Sequence, residues 1–175
     1  AANSILADFY NIPISMGSFA TGAKEPNWQA GVENSLSTFM ASIAVSDMLL
    51  GVGFLHGSRI WSYEQMLMDC EIYEIVRRTL AGIEVNDETL ALEAIKAVGP
   101  GGNFLTQKHT RAHMREIFIP NYLDRRPYNL WEEKKDGPRD WAREKARKLV
   151  ETHQPDPLDP AISREFNRII AAEEA

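Results

Sequence analysis

The 175-residue sequence has little cysteine and no long apolar run. Its single cysteine, Cys70, excludes an internal disulfide framework and is typical of a reducing compartment, so we expect the cytoplasm. No apolar stretch approaches the roughly 20 residues that a membrane-spanning helix needs, and no secretory signal pattern is present. The sequence starts with Ala rather than Met, as expected of a mature chain or of a piece of a longer protein.

The sequence also lacks an excess of positive charge. Up to Pro100, twelve acidic residues stand against five basic ones, whereas from Gly101 onward thirteen acidic residues stand against fourteen basic ones. Nucleic-acid binding requires a basic footprint, so the acidic first part disfavours it. The same charge is compatible with a cationic small molecule, or simply with a solvated acidic surface.

Hydrophobic periodicity predicts two strands, at 11–17 and at 48–52, each followed by a loop and a helix. The second helix begins with a capping box formed by Ser62 and Gln65, and Gly82 ends it. This order is typical of consecutive βα units with parallel strands, but two parallel strands alone cannot form a covered sheet. We therefore predict that the first part pairs with missing sequence or with another copy. The first helix has an apolar stripe, predicted to be its buried face: Val32, Leu36, Phe39, Met40 and Ile43.

Beyond Gly82 the sequence turns helical and hydrophilic. Asn86 or Asp87 is predicted to cap one helix, "GPGG" at 99–102 breaks the chain, and further helices are predicted at 106–116, 139–153 and 160–172. The chain therefore divides into two predicted parts, an α/β part at 1–83 and a helical extension at 84–175.

Three patterns could indicate a metal site, a nucleophile or a phosphate loop, but a purely structural role explains each of them better. His109 and His113 stand four apart, so both could face one metal ion, but the glutamate of an H-E-x-x-H site is absent and Arg111 and Arg115 oppose a cation; we predict no metal. Carboxylates beside Cys70 raise a thiol pKa, which is unfavourable for a nucleophile. "GPGGNF" lacks the lysine of a phosphate loop and follows a helix, so a chain reversal is favoured.

The loops at the carboxyl ends of the two strands are the stronger candidates for a site, because parallel sheets and barrels carry their functional groups there. Aromatic faces and acids are what a quaternary or tertiary ammonium requires, since it offers positive charge and few hydrogen-bond donors. Core packing would also explain Phe54 and Trp61. The candidate residues are Ser18, Phe19, Thr21, Lys24 and Glu25 in the first loop, and Phe54, His56, Ser58, Arg59, Trp61 and Tyr63 in or after the second.

Four segments together resemble a known family: "KEPNWQAGVENSL", the long run from Ser62 to Thr110 that contains "GIEVNDETLAL" and "GPGGNFLTQKHT", "DRRPYNLW" and "HQPDPLDP". They are similar to the carboxyl-terminal third of the trimethylamine methyltransferase superfamily, whose glycine betaine enzymes form the branch without pyrrolysine. The resemblance covers nearly the whole chain.

The resemblance implies a fold and a reaction. The chain would be the carboxyl-terminal part of a (β/α)8 TIM barrel, its last two βα units at 1–83, followed by the helical extension at 84–175 packing on the barrel. Family members move a methyl group from a methylated amine to the cobalt of a separate corrinoid protein, so the implied partners are that protein and the amine. A role in methanogenesis is implied as well.

The same resemblance bears on substrate and site. A tertiary amine needs activation before it can donate a methyl group, whereas a quaternary amine is already competent, and the absence of a nonstandard residue in this chain favours the quaternary branch. We predict His56 as the catalytic residue near the reacting methyl group, and Phe19, Lys24, Glu25, Phe54, Trp61 and Tyr63 as substrate-binding residues. A fragment lacking the other six strands is expected to be inactive alone.

Two rival functions remain open at this stage. The helical tail from residue 104 could be a non-catalytic interaction or assembly module that docks on a partner or on a second protomer, which would give a homo-oligomer. Alternatively the barrel could bind a small molecule without transforming it. Besides docking on a partner and forming a homo-oligomer, the chain could associate with the rest of a parent chain.

Overall fold

The computed structural model describes residues 2–173. Within them, no helix is both long enough and apolar enough to pass through a membrane. A 3₁₀ turn lies at Phe104–Thr106, in addition to the α-helices and strands of the chain. These are α1 (Ala2–Phe9), β1 (Ser15–Gly17), α2 (Trp28–Ile43), β2 (Met48–Leu50), β3 (Phe54–Leu55), β4 (Ile60–Trp61), α3 (Tyr63–Leu80), α4 (Asp87–Leu90), α5 (Leu92–Val98), α6 (Lys108–His113), α7 (Tyr128–Lys134), α8 (Pro138–Thr152) and α9 (Pro160–Glu173).

Strands β1 and β2 are parallel, as predicted, and Met16 stands opposite Leu49 at the centre of the pair. Both strands are shorter than predicted. Before β1, the Ile14 amide donates to the Asp47 carboxylate at 2.8 Å rather than to a backbone carbonyl of the neighbouring segment. At their end, Gly51 adopts a φ of +102°, which turns the chain out of the strand.

The chain is a mostly helical α/β structure with small sheets, consistent with a fragment of a larger domain. Exposure to solvent alternates along both strands. The end residues are exposed, namely Ser15, Gly17, Met48 and Leu50, whereas the central Met16 and Leu49 are half-buried. One face of this parallel pair is therefore uncovered within residues 2–173. Parallel sheets are normally covered on both faces.

Helix α2 buries a different face from the one predicted. Its buried residues are the small or polar Ala30, Asn34, Thr38 and Ala41. The apolar Leu36, Met40 and Ile43 of the predicted stripe are all at least half-exposed. The prediction that the apolar stripe is the buried face of this helix is therefore wrong within the described residues. Small side chains let the helix backbone come close to the chain that follows β1, where Ser37 and Thr38 hydroxyls donate to the Ser18 carbonyl.

A short antiparallel hairpin, β3–β4, interrupts the segment that was predicted as a loop. Phe54 stands opposite Trp61, and Leu55, which is buried, stands opposite Ile60. The turn runs through three successive residues of positive φ, His56, Gly57 and Ser58. Strand propensity over two residues carries almost no sequence signal, which explains why the hairpin was missed.

Capping at the start of α3 is confirmed in part. The Ser62 hydroxyl oxygen accepts from the Gln65 amide at 3.2 Å and its proton is donated to Glu64. The predicted reciprocal bond from Gln65 is wrong, because the Gln65 side chain instead reaches Asp69. Gly82 follows the helix with a φ of +68°, as predicted for a glycine that ends a helix.

In the extension, one predicted helix is divided and another is shortened. Asn86 caps α4 in a capping box with Thr89, and Ala91, at a φ of +51°, separates α4 from α5. The helix predicted at 106–116 is limited to α6.

Helix α8 packs on α3, so the extension and the first part are in contact. An ion pair joins Arg143 to Glu64 at 3.1 Å, and a second joins Arg139 to Glu25 at 2.8 Å. The buried Glu71 carboxylate of α3 provides a further tie by accepting the backbone amides of Asn121 and Tyr122 at 2.5 and 2.8 Å.

We predict that Glu71→Ala lowers the free energy of unfolding by about 2 kcal/mol, because two amides lose a charged acceptor. Amide hydrogen exchange at Asn121 and Tyr122 should accelerate, and urea unfolding measures the loss of stability. Glu74→Ala is the matched control on the same helix: its exposed pair with Arg77 should contribute less than about 1 kcal/mol. Equal effects of the two substitutions would contradict the role assigned to Glu71.

Candidate functional site

The chain segments that leave the two parallel strands lie against each other. We call them the first exit loop (residues 18–27) and the second exit loop (residues 51–61, which includes β3 and β4). The His56 amide donates to the Ala23 carbonyl at 2.8 Å, and the Gly57 amide donates to the Thr21 carbonyl at 2.9 Å. Side-by-side exit loops are what parallel strands predict, so the candidate rim exists in the structure.

Two glycines allow the second exit loop to lie close to its neighbours. A β-carbon on Gly51 would come within 3.1 Å of the Phe19 carbonyl oxygen. A β-carbon on Gly53 would come within 2.7 Å of the Trp61 indole nitrogen and within 3.0 Å of Met66. Both also have positive φ, which a side chain disfavours. The two glycines thus allow the second exit loop to pack closely against Phe19, Trp61 and Met66.

The first exit loop is held by Glu33 of α2. Its carboxylate accepts from the Thr21 hydroxyl at 2.5 Å, the Gly22 amide at 2.8 Å and the Gln29 side chain at 2.9 Å. These donors lower the pKa of the Glu33 carboxyl, with Thr21 as the largest contributor. A carboxylate one turn into the helix therefore fixes the loop that precedes it.

The second exit loop is held by Asp69 of α3, which is fully buried. One carboxylate oxygen accepts from the side-chain amides of Asn34 at 2.8 Å and Gln65 at 2.7 Å. The other accepts from the Gly53 amide at 2.8 Å. Burial raises the pKa of the Asp69 carboxyl, and the three hydrogen bonds oppose that rise. The network joins α2, α3 and the second exit loop at one point.

Sequence reasoning missed Asp69, Asn34 and Glu33 as residues that position the rim. The available signal was weak, because Asn34 lies four residues from the buried Ala30 and Thr38, a spacing that the competing apolar stripe of α2 obscured. Asp69 was considered only as a neighbour of Cys70. Which helix face is buried depends on what packs there, and periodicity alone does not reveal it.

Trp61 and Tyr63 are the predicted site residues that the structure brings into direct contact. Their rings meet edge to face with centroids 4.4 Å apart, and the two residues are 44% and 49% exposed. The Trp61 indole donates to the Val52 carbonyl at 3.3 Å. Phe54 stands opposite Trp61 across the hairpin, and His56, half-buried, follows two residues later. These four residues form what we call the aromatic rim.

The other predicted substrate-binding residues make contacts of their own. Phe19 is 1% exposed and lines a cavity of about 650 Å³ with Leu49, Val52 and Tyr73. The Lys24 ammonium donates to the Gly22 carbonyl at 2.7 Å, and Glu25 pairs with Arg139. Neither charged side chain is therefore directed by a contact toward the aromatic rim.

Cys70 behaves as its sequence context predicts, with a different principal cause. Cys70 is exposed, but partial desolvation of its thiol contributes most to the raised pKa, followed by the charges of Asp69 and Glu74. The sequence suggested the flanking carboxylates, Asp69 and Glu71. A raised pKa keeps the thiol protonated near neutral pH, so Cys70 is not an activated nucleophile.

The geometry defines an α/β chain with two parallel strands whose exit loops form a partly aromatic rim. Comparison with known proteins agrees with this class: the model of the trimethylamine methyltransferase family matches residues 1–175. A trimethylamine methyltransferase of Desulfitobacterium hafniense (strain DSM 10664 / DCB-2) is 34% identical over 168 residues, which cover 94% of this chain and 34% of that protein.

Two further relatives are similar to the same extent. A trimethylamine methyltransferase of Methanosarcina barkeri is 34% identical over 97% of this chain and 34% of its own length. A glycine betaine methyltransferase of Desulfitobacterium hafniense (strain Y51) is 33% identical over 98% of this chain and 36% of its own length. The chain belongs to the trimethylamine methyltransferase family, which confirms the resemblance, and it spans about a third of the length of these curated relatives.

We predict that Asp69→Asn destabilises the protein by about 2–4 kcal/mol, because an amide group replaces an oxygen that accepts a buried donor. Urea unfolding measures the loss. Glu74→Gln makes the same chemical change at a partly exposed position of α3 and should cost less than about 1 kcal/mol. A loss no larger for Asp69→Asn than for Glu74→Gln would show that the network does not stabilise the exit loops.

Proposed function

We propose that this chain forms the carboxyl-terminal part of a methyltransferase that takes a methyl group from a methylated amine. Its support is the family match over residues 1–175 together with relatives named trimethylamine and glycine betaine methyltransferases. The single structural observation that carries the proposal is the contact between the exit loops of two parallel strands. Functional groups of parallel α/β proteins are found at that edge.

The proposed architecture is a (β/α)8 barrel, with residues 1–83 supplying the last two βα units. The uncovered face of β1 and β2 would then face the barrel interior, where it would be covered by side chains from the strands of the rest of the parent protein. Residues 84–175 would be the helical extension, and α8, which packs on α3, would lie on the outer side of the barrel. Without the other six strands, the pocket lacks most of its walls, so we expect the fragment alone to be inactive.

In the proposed site, the aromatic rim binds the substrate cation. Trp61 and Tyr63 each expose nearly half of their surface, and an aromatic face attracts an ammonium group that has few hydrogen-bond donors. His56 lies at the turn of the second exit loop, and we assign it the position nearest the reacting methyl group. Phe19, Lys24 and Glu25 support the first exit loop, and contact with substrate would require them to change the partners described above.

The acceptor in this proposal is a partner corrinoid protein, whose cobalt(I) would supply the nucleophile. The substrate class favoured by the sequence is a quaternary amine, which can donate a methyl group without prior protonation. This chain's own contribution is to orient the cation: the aromatic rim holds the positive charge, while Asp69 and Glu33 keep both exit loops in place.

We predict that the full-length parent protein transfers methyl groups from glycine betaine, or from a related methylated amine, to cob(I)alamin. Trp61→Ala should lower kcat/KM by about tenfold or more, because a cation–π contact in a desolvated site contributes about 2 kcal/mol. Trp61→Phe should retain part of the activity. Formation of methylcobalamin, followed by its absorbance, measures the rate.

Trp28→Ala is the matched control, since Trp28 is a strongly exposed residue at the start of α2 and lies outside the aromatic rim. His56→Gln should lower kcat more than it changes KM if this residue is close to the reacting group. Absence of methyl transfer from a panel of tertiary and quaternary amines would refute the proposed function. Binding of an amine without demethylation would instead favour a binding protein.

A second candidate function, an assembly module, is favoured by α9. None of its residues, Pro160–Glu173, is buried against the described part of the chain. Its apolar residues recur at helical spacing and are about half-exposed: Ile162, Phe166, Ile169 and Ile170. Such an apolar stripe is typical of a helix that packs against another surface, and a second copy of the chain is the occupant proposed here.

For this candidate we expect Phe166→Glu to dissociate a homo-oligomer of the full-length protein, because a buried charge without a partner is strongly unfavourable. Analytical ultracentrifugation measures the change in mass. Asn167→Glu places the same charge on the neighbouring, polar side of α9 and should leave the mass unchanged. A wild-type protein that sediments as a monomer would exclude the module.

A further inference from the structure

The helical extension brings three metal-ligating side chains together. Among residues 2–173, Glu88 of α4 and His109 and His113 of α6 have one ligand atom each within 4.8 Å of one another. The two histidine rings lie with their centroids 4.3 Å apart, one helical turn from each other. The glutamate comes from another helix, more than twenty residues earlier in the sequence. Sequence spacing therefore gave no indication of it.

We propose that Glu88, His109 and His113 bind one divalent first-row transition metal ion, with zinc as the ion to be tested. Two imidazoles and one carboxylate are the ligand set of open zinc sites, which add water or another ligand as the fourth group. The Nε2 atom of His113 lies 3.3 Å from a carboxylate oxygen of Glu88. Ligand atoms of a tetrahedral zinc ion stand roughly 3.3–3.5 Å apart, given bonds of about 2.0–2.2 Å.

The remaining ring nitrogens are already oriented by second partners. The Nδ1 atom of His113 pairs with the Glu116 carboxylate at 2.9 Å, which leaves Nε2 directed toward Glu88. The Nε2 atom of His109 contacts the Glu88 backbone carbonyl at 2.8 Å, so this ring is also fixed against the segment that carries Glu88. Metal-binding histidines characteristically donate their other N–H group to a carboxylate or to a backbone carbonyl. Both kinds of partner are present here.

The spacing of Arg111 weakens the objection to a metal that the sequence raised. Arg111 lies two residues from each histidine, and side chains two apart in a helix do not share a face. Arg115 follows the end of α6. The cavity beside His109, about 550 Å³, is lined by Asp87, Glu88 and Glu93 with Lys108 as a single opposing cation. This charge balance favours a cation near the site.

Bound metal would connect α4 to α6 across the intervening turn at residues 99–102. Both helices are short, with four and six residues, and neither contributes a buried residue. Short helices are marginal in water and depend on tertiary contacts. The metal would therefore fix the fold of the extension, a role separate from the proposed methyl transfer at the aromatic rim.

The test is zinc binding by the full-length protein after removal of metal with a chelator. Competition against a chromophoric chelator should give one tightly bound zinc ion per chain and a higher Tm with zinc than without it. Glu88→Gln and His113→Gln should each weaken binding by at least tenfold, and Glu116→Gln should weaken it less, because Glu116 only orients His113. His153→Gln, an exposed histidine after α8, is the matched control and should bind as wild type does.

Glu88→Gln changes an exposed side chain, so its folding should be preserved, and circular dichroism checks this. Cobalt(II) provides an independent readout, since a tetrahedral site gives intense visible absorption that His113→Gln should abolish. Equal zinc affinity in wild type, Glu88→Gln and His113→Gln would overturn the proposal by indicating non-specific surface binding. Failure of the wild-type protein to retain zinc at micromolar free metal would overturn it as well. Neither result depends on methyltransferase activity.

Discussion

The buried carboxylate of Asp69 is the interaction on which the rest of the first part depends. A fully buried acid is unfavourable unless its oxygens are satisfied, and here three donors from α2, α3 and the second exit loop converge on them. Removing the network would release the hairpin that presents Trp61 and His56. The position of the rim therefore depends on a buried polar network below it as well as on the contacts that the rim residues make.

Uncovered apolar surface is the second constraint. The exposed face of β1 and β2, the outward stripe of α2 and the apolar side of α9 all expose residues that water disfavours. A groove between α2 and α3 is lined mainly by apolar side chains, including Val32, Leu36 and Met68. A chain that spans about a third of its relatives' length is expected to leave faces such as those of β1, β2 and α2 for the rest of a larger protein, whereas α9 is the surface proposed for a second copy.

The helical extension is attached both by packing of α8 on α3, which buries Ala142 and Ala146, and by polar contacts. Arg139 and Arg143 reach Glu25 and Glu64 of the first part, and Glu71 accepts two backbone amides of the extension. Within the extension, Arg126 pairs with Asp124 and Asp136 while its guanidinium lies 4.7 Å from the Trp141 ring centre. Glu25, predicted to meet substrate, is therefore also part of the joint between the two regions.

The sequence by itself determined the two consecutive βα units, the parallel strand pair, the cap at Ser62 and the family, because these depend on local periodicity, local hydrogen bonding and long matching segments. It also located both exit loops. Only the tertiary structure decided that α2 buries Asn34 and Thr38, that Phe19 is enclosed, that Glu25 meets Arg139, and that Glu88 joins His109 and His113. Each of these contacts brings together residues that are distant in sequence or selects one helix face over another, and neither spacing nor composition contains that information.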